Sequence, residues 1–318
     1  MDPFTFLKIS LNTDGSLTRH GEPPTSPASA SDPSLPALSK DVLLNPDHGT
    51  WIRIFLPSSP RSAAHSLPII LYFHGGGFIL FSAATALFHT SCSRVAASLP
   101  ALVLAVEYRL APEHRLPAAY HDAHDALLWV RDQALNPSIA DPWLRTHANF
   151  SRCFLMGSSS GGNIAYRAAL RAAVTNLEPL KLEGVLLNQP YFGGERRTES
   201  EERMAEDHIV PLAANDLMWD LALPVGASRE HEFCNPTAKE EAAAEKLPPC
   251  LVRGYLGDPL IDRQRDLAQM LEKKGVRVVG FLEEEGHHAI ELFKPDKADV
   301  LVEQVREFVC GIASIHKL

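Results

Sequence analysis

From Phe154 to Gly162 the chain reads Phe-Leu-Met-Gly-Ser-Ser-Ser-Gly-Gly, an apolar run that stops at a Gly-x-Ser-x-Gly pattern and continues into a helix-compatible segment. Few local sequences restrict a fold so narrowly: a strand, a sharp turn and a helix, with the central Ser159 pushed outward at the turn. Gly157 and Gly161, two residues before and after it, let the backbone fold that tightly. The same pattern also occurs in plain turns, so the rest of the chain has to carry the reading.

The rest of the chain alternates. Short apolar runs at Ile52–Leu56, Pro68–Phe73, Ala101–Val106, Arg152–Met156, Gly184–Asn188, Pro249–Gly254 and Val276–Leu282 read as strands. Between them, Ala83–Leu99, Ala118–Ala134, Gly162–Ala173, Asp262–Lys274 and Lys297–Ile312 read as helices. This order predicts an α/β fold, a mostly parallel sheet with helices on both faces and chemistry at the carboxyl ends of its strands. Gly21–Leu38, rich in Pro, Ser and Ala, predicts an irregular arm. Gly193–Ala227 is charged at first and apolar around Leu217-Met218-Trp219, which predicts a helical excursion above the sheet. No linker interrupts the middle, so 1–318 reads as one domain.

Composition narrows the function. A chain of 318 residues that is 45% hydrophobic can bury a large core. Its net charge of −9, without a basic stripe, argues against a nucleic-acid partner. Cys92, Cys153, Cys234, Cys250 and Cys310 are odd in number and lack metal-ligand spacing, so reduced thiols in a cytoplasmic setting are expected. The amino terminus has no basic-then-apolar pattern and no run reaches membrane-spanning length, so no membrane partner is expected. The chain is expected to act as a monomer or weak dimer.

Two further segments bear on Ser159. His74-Gly75-Gly76-Gly77 follows the strand ending at Phe73. Consecutive glycines let backbone N–H groups converge, as an oxyanion requires; Gly76 and Gly77 are the expected donors, with Ser160, after the serine, as the third. The segment is not a phosphate loop, because no Lys-Ser or Lys-Thr follows and the pattern is not G-x-G-x-x-G. A serine hydroxyl also needs a base, and the base an acid, in the order Ser, Asp or Glu, His. Asp258 comes first off the strand Pro249–Gly254 and is favoured as the acid, with Asp262 expected to cap the next helix. The following strand delivers His287 and His288, and the residues alone leave the choice between them open. His121 and His124 have metal-compatible spacing but no third ligand, so no metal is expected.

These motifs, together with Tyr108-Arg109-Leu110-Ala111-Pro112-Glu113 and Asp258-Pro259-Leu260, resemble the plant carboxylesterases of the hormone-sensitive-lipase-like branch of the α/β-hydrolase family. The resemblance spans nearly the whole chain. It implies Asp258 as acid, and His288 as base because a small and an apolar residue follow it. It also implies a cap to which residues 1–46 contribute, with Asp2–Leu11 near the pocket entrance, and a structural Arg–carboxylate contact in the segment from Tyr108 to Glu113. Three positions depart from the pattern: Ser158 and Ser160 stand where many relatives have Asp and Ala, and Ala289 where they often have Gly.

The expected activity is hydrolysis of short-to-medium acyl esters of small molecules, without a cofactor, through Ser159, His288 and Asp258. Phe78, Trp219 and Ile290 are expected at the substrate site. Similar folds also serve as gibberellin receptors that have lost the triad histidine, as dehydratases with Thr at the serine position, and as acyltransferases with a complete triad. His288 argues against the first and Ser159 against the second; the third stays open.

Overall fold

The computed structural model describes residues 2–21, 23–58, 66–237 and 242–315, so Met1 and Glu22 of the predicted arm and the last three residues of the predicted domain lie outside the described residues. Its centre is an eight-stranded sheet. In chain order the strands are β3 (Ala37–Asn45), β4 (Thr50–Pro57), β5 (Leu67–Phe73), β6 (Leu102–Glu107), β7 (Ala148–Ser158), β8 (Leu182–Asn188), β9 (Cys250–Gly257) and β10 (Val278–His287), after a small hairpin of β1 (Ile9–Leu11) and β2 (Leu17–Arg19). The spatial order is β10-β9-β8-β7-β5-β6-β4-β3. All neighbours from β10 to β6 pair parallel, and β4 pairs antiparallel with both β6 and β3.

The central strands are apolar nearly throughout because both their faces are covered. Every residue of β5 is buried. Period-two alternation divides them between two cores: Ile69, Leu71 and Phe73 with Leu102 and Leu104 on one face, Ile70 and Tyr72 with Val103 and Ala105 on the other. Helices α3 (Ala118–Leu135), α5 (Ser160–Ala172) and α8 (Ile261–Lys273) cover the first face; α2 (Ala86–Ser98) and α9 (Pro295–Ile315) cover the second. No helix of the described residues is long and apolar enough to cross a membrane.

Each predicted strand and helix is present within a few residues. β3 was not anticipated: it starts inside the arm expected to be irregular, where Arg53 of β4 forks onto Asp41 (2.7 and 2.8 Å). At the sheet edge its residues come in short blocks, Ala37-Leu38, Ser39-Lys40-Asp41 and Val42-Leu43-Leu44, a weaker signal than the unbroken runs of the interior. The segment from Gly193 to Ala227 holds two helices, α6 (Glu199–Arg203) and α7 (Leu212–Ala222), after the short α4 (Pro142–His147) earlier in the chain. At the amino terminus α1 (Pro3–Leu7), capped by Asp2 on the Thr5 amide at 2.8 Å, packs on α7.

The segment from Tyr108 to Glu113 is architectural, as expected. Arg109 binds Asp122, fully buried on α3, at 2.7 Å, and Glu113 receives Arg19 of β2 at 2.7 Å. Arg19 also donates to the Ile79 carbonyl at 2.6 Å, which ties the hairpin to the loop after β5.

Candidate active site

β5 and β7 are adjacent, with Phe73 opposite Gly157, although β6 lies between them in sequence. The connections therefore diverge at this point of the sheet, where a crevice opens at the carboxyl ends of the strands. The glycine loop leaves β5 on one side of it and the serine turn leaves β7 on the other.

Ser159 sits between β7 and α5 with φ 55° and ψ −121°, a conformation that costs a serine about 1–3 kcal/mol unless its surroundings enforce it. They do. A Cβ on Gly161 would lie 1.9 Å from the Phe73 carbonyl oxygen, so only glycine lets α5 start this close to β5. Asn163, fully buried, ties the start of α5 to the Tyr191 and Phe233 carbonyls at 3.0 and 2.8 Å and accepts from Tyr120 at 2.7 Å.

His288 Nε2 is 3.0 Å from Ser159 Oγ, and His288 Nδ1 is 2.8 Å from Asp258 Oδ2. His288 follows β10 and is 3% exposed; Asp258 follows β9 and is fully buried. Asp258 also accepts from the Leu260 amide and from Gln264 Nε2, each at 2.9 Å. Burial alone would lower the imidazole's pKa, but the charge and hydrogen bond of Asp258, with Glu291 and Asp207 adding to them, hold it above the ordinary histidine value. His287, the other candidate, turns away and pairs through Nδ1 with the His288 carbonyl at 2.9 Å. Asp262 does not cap α8, which starts one residue before it; its carboxylate instead accepts from the Ser200 amide at 2.8 Å, joining α8 to α6.

Gly75, Gly76 and Gly77 line the same cavity as Ser159. Gly77 has φ 60°, and a Cβ there would lie 2.2 Å from the Met218 sulfur. Among the described residues the Gly76 and Gly77 amides donate to no protein acceptor. The Ser160 amide opens α5 and, like the first N–H groups of any helix, has no partner within the helix. His74 does not face the cavity: buried and stacked on Tyr108 at 4.3 Å, it supports the loop from below.

The cavity encloses about 150 Å³. Phe78, Trp219 and Ile290, expected as substrate contacts, do not line it. Phe78 and Trp219 are each 1% exposed and pack with Tyr191 beneath the site, Trp219 stacked on that ring at 4.7 Å. Their size and hydrophobicity made them core residues. The apolar wall comes instead from Leu7, Leu80, Phe81, Phe88, Met218 and Leu292.

A polar group on the cavity wall was not anticipated. Ser158 Oγ accepts from Asn188 Nδ2 at 3.2 Å and from Tyr72 at 3.4 Å. Asn188 Nδ2 also donates to Glu291, whose carboxylate takes Gln189 Nε2 at 2.7 and 2.8 Å, and Gln189 Oε1 accepts from the Ala289 amide at 2.6 Å. Two polar residues closing an apolar strand, Asn188-Gln189 after Leu187, were the available signal.

A family model described as alpha/beta hydrolase fold matches residues 70–292. The chain belongs to this family. Among its relatives, "Probable carboxylesterase 8" of Arabidopsis thaliana is 48% identical over 98% of this chain and 95% of its own length. A "3-O-acetylpapaveroxine carboxylesterase" of Papaver somniferum is 46% identical over 97% of this chain and 99% of its own. Among solved structures, a hyperthermophilic esterase from Pyrobaculum calidifontis superposes with a TM-score of 0.74 at 26% identity, covering 86% of this chain and 83% of that one. Within the family the chain stands with the plant carboxylesterases.

Proposed function

We propose that the protein is a serine carboxylesterase that hydrolyses short-to-medium acyl esters of small molecules through an acyl-enzyme. The observation that carries this reading is the alignment of Ser159, His288 and Asp258, with contacts of 3.0 and 2.8 Å. Plant carboxylesterase relatives support the same class of reaction.

His288 Nε2 takes the Ser159 proton as Oγ bonds to the ester carbon, and the carbonyl oxygen becomes an oxyanion held by the Gly76, Gly77 and Ser160 amides. The tetrahedral centre then expels the alcohol, and the proton on His288 goes to the departing oxygen. Water enters, gives a proton to His288 and attacks the acyl carbon; collapse releases the carboxylic acid and returns the proton to Ser159. Asp258 holds the imidazole with Nδ1 protonated and stabilises it when charged.

Residues 1–46 and 193–227 serve as the cap in this reading. Leu7 from α1 and Met218 from α7 both reach the cavity, and the two helices pack together. The test is turnover of a short-chain aryl ester by wild type and by Ser159→Ala, the variant's fold checked by circular dichroism. A folded variant with wild-type turnover would sink the nucleophile assignment. Release of a lactone or transferred ester in place of free acid would identify an acyltransferase.

A further inference from the structure

We propose that the cavity contains a cation subsite made of Glu291, Phe81 and Phe88, so that the esters it favours carry an ammonium group. This deepens the ester-hydrolase reading and rests on it.

Glu291 is 7% exposed and lies in the short turn Ile290–Leu292, three residues after His288. Its carboxylate receives hydrogen bonds from the side-chain amides of Asn188 and of Gln189 (2.7 and 2.8 Å for the latter). Among the described residues no Lys or Arg pairs with it. The buried guanidinium of Arg253 ends on Asn188 Oδ1 at 3.0 Å, with that amide standing between it and Glu291. A carboxylate thus lines a largely apolar cavity with no Lys or Arg paired to it among the described residues; His288 is the one titratable cation facing it, and a cationic occupant would supply a further partner.

The surroundings suit such an occupant. Phe81 and Phe88 line the same cavity, their centroids 5.9 Å apart and their planes inclined at 58°. Helix α2, which carries Phe88, packs against the turn that carries Glu291. Aromatic rings and a carboxylate lining one cavity are surroundings in which quaternary and tertiary ammonium groups bind, Phe81 being the more open ring and Phe88 packing behind it on Tyr72 and His74. The chain's net charge of −9 also attracts cationic molecules over a distance.

The test uses two isosteric pairs, so that the cation can sit on either side of the scissile bond. One pair is the 4-nitrophenyl esters of trimethylammonioacetic acid and 3,3-dimethylbutanoic acid; the other is acetylcholine and 3,3-dimethylbutyl acetate. The ratio of kcat/KM, cationic over neutral, is compared between wild type and Glu291→Gln, so that intrinsic reactivity and any general loss of activity cancel. In at least one pair the ratio should fall ~10-fold or more in Glu291→Gln, and also fall in Phe88→Leu. Ratios unchanged within ~2-fold overturn the subsite. If wild type turns over no ester of either pair, the ester-hydrolase reading fails, and calorimetric binding of phenyltrimethylammonium judges the subsite alone. Binding by wild type that Glu291→Gln loses upholds it; absent or equal binding overturns it.

Discussion

Gln264 donates its side-chain amide to Asp258 Oδ2 at 2.9 Å, the same carboxylate oxygen that meets His288 Nδ1 at 2.8 Å. One oxygen of a fully buried acid therefore answers both to the imidazole it orients and to helix α8. Replacing Gln264 by Met keeps the length and removes the donor. We expect kcat to fall about tenfold with KM little changed, because the lost hydrogen bond orients the base rather than holding substrate. A KM that rises while kcat stays constant would contradict that role.

The adjacent histidines separate cleanly. His288→Ala should lower kcat/KM by ~10⁴-fold or more, since it removes the proposed base. His287→Ala should leave it within about threefold, its Nδ1 facing only a backbone carbonyl at 2.9 Å. Initial rates on one aryl ester decide between them, and the reverse pattern would transfer the role of base to His287.

In the proposed mechanism the base works neutral, which fixes the sign of a pH dependence. His288 is held above the ordinary histidine value against the effect of its own burial, by Asp258 first and then Glu291 and Asp207. As pH falls through that raised pKa the imidazole takes up a proton and can no longer accept one from Ser159. The acid limb of kcat/KM should therefore lie above pH 6.5, the ordinary histidine value. Glu291→Gln removes one of the charges and should move the limb to lower pH. A limb that stays in place would show that Glu291 has no electrostatic hold on the base.

Gly161→Ala tests the close approach behind the elbow. The added methyl would sit 1.9 Å from the Phe73 carbonyl oxygen, a backbone atom that cannot swing aside. Thermal melts should show a loss of about 3 kcal/mol or more, or no folded protein. A wild-type melting temperature would mean that α5 can retreat from β5 without cost.

What could be read beforehand follows how each signal is stored. The central strands are buried on both faces, so runs such as Ile69-Ile70-Leu71-Tyr72-Phe73 stand out in the sequence, and the order of β5, β7, β9 and β10 follows from them. The proposed triad residues were readable as candidates because each follows the carboxyl end of a strand, β7, β9 or β10, that an apolar run marks. The edge strand β3 breaks its apolar residues with Ser39-Lys40-Asp41, and a mixed run beside a Pro-rich segment resembles a loop. The cavity wall was not legible. Phe78 and Trp219 look like contacts by residue type, but three-dimensional packing turns them into the core while Phe81, Phe88 and Leu7 reach the cavity. Glu291 stayed hidden because its partners, Asn188 and Gln189, lie a hundred residues earlier in the chain.

His74 provides a stability prediction. Buried beneath the glycine loop, it is pushed down from 6.5 to about 4 by desolvation, with the hydrogen bond to the Gly75 carbonyl opposing. Its contribution is complete above pH 6.5, where folded and unfolded chains both keep it neutral. Between 6.5 and about 4 the unfolded chain binds a proton that the folded chain refuses, so stability is lost on acidification, by roughly 3 kcal/mol at the lower limit. Urea midpoints measured from pH 7 to 4.5 should fall, and fall less in His74→Gln if that variant folds. Equal slopes would assign the acid sensitivity to other groups.

Ser158 stands where the resemblance to the plant carboxylesterases implies Asp. Its hydroxyl shares Asn188 Nδ2 with Glu291: the amide is 3.2 Å from Ser158 Oγ and also donates to the Glu291 carboxylate. Restoring Asp at 158 would set two carboxylates against one amide donor in a buried setting, and like charges there cannot both ionise freely. Ser158→Asp alone should cost about 1–3 kcal/mol of stability and lower kcat/KM. The double variant Ser158→Asp with Glu291→Gln has one charge again and should regain most of both. The coupling energy from a double-mutant cycle in urea should be favourable and at least about 1 kcal/mol. Strict additivity would mean that the two positions do not compete, and that the serine at 158 is independent of the carboxylate at 291.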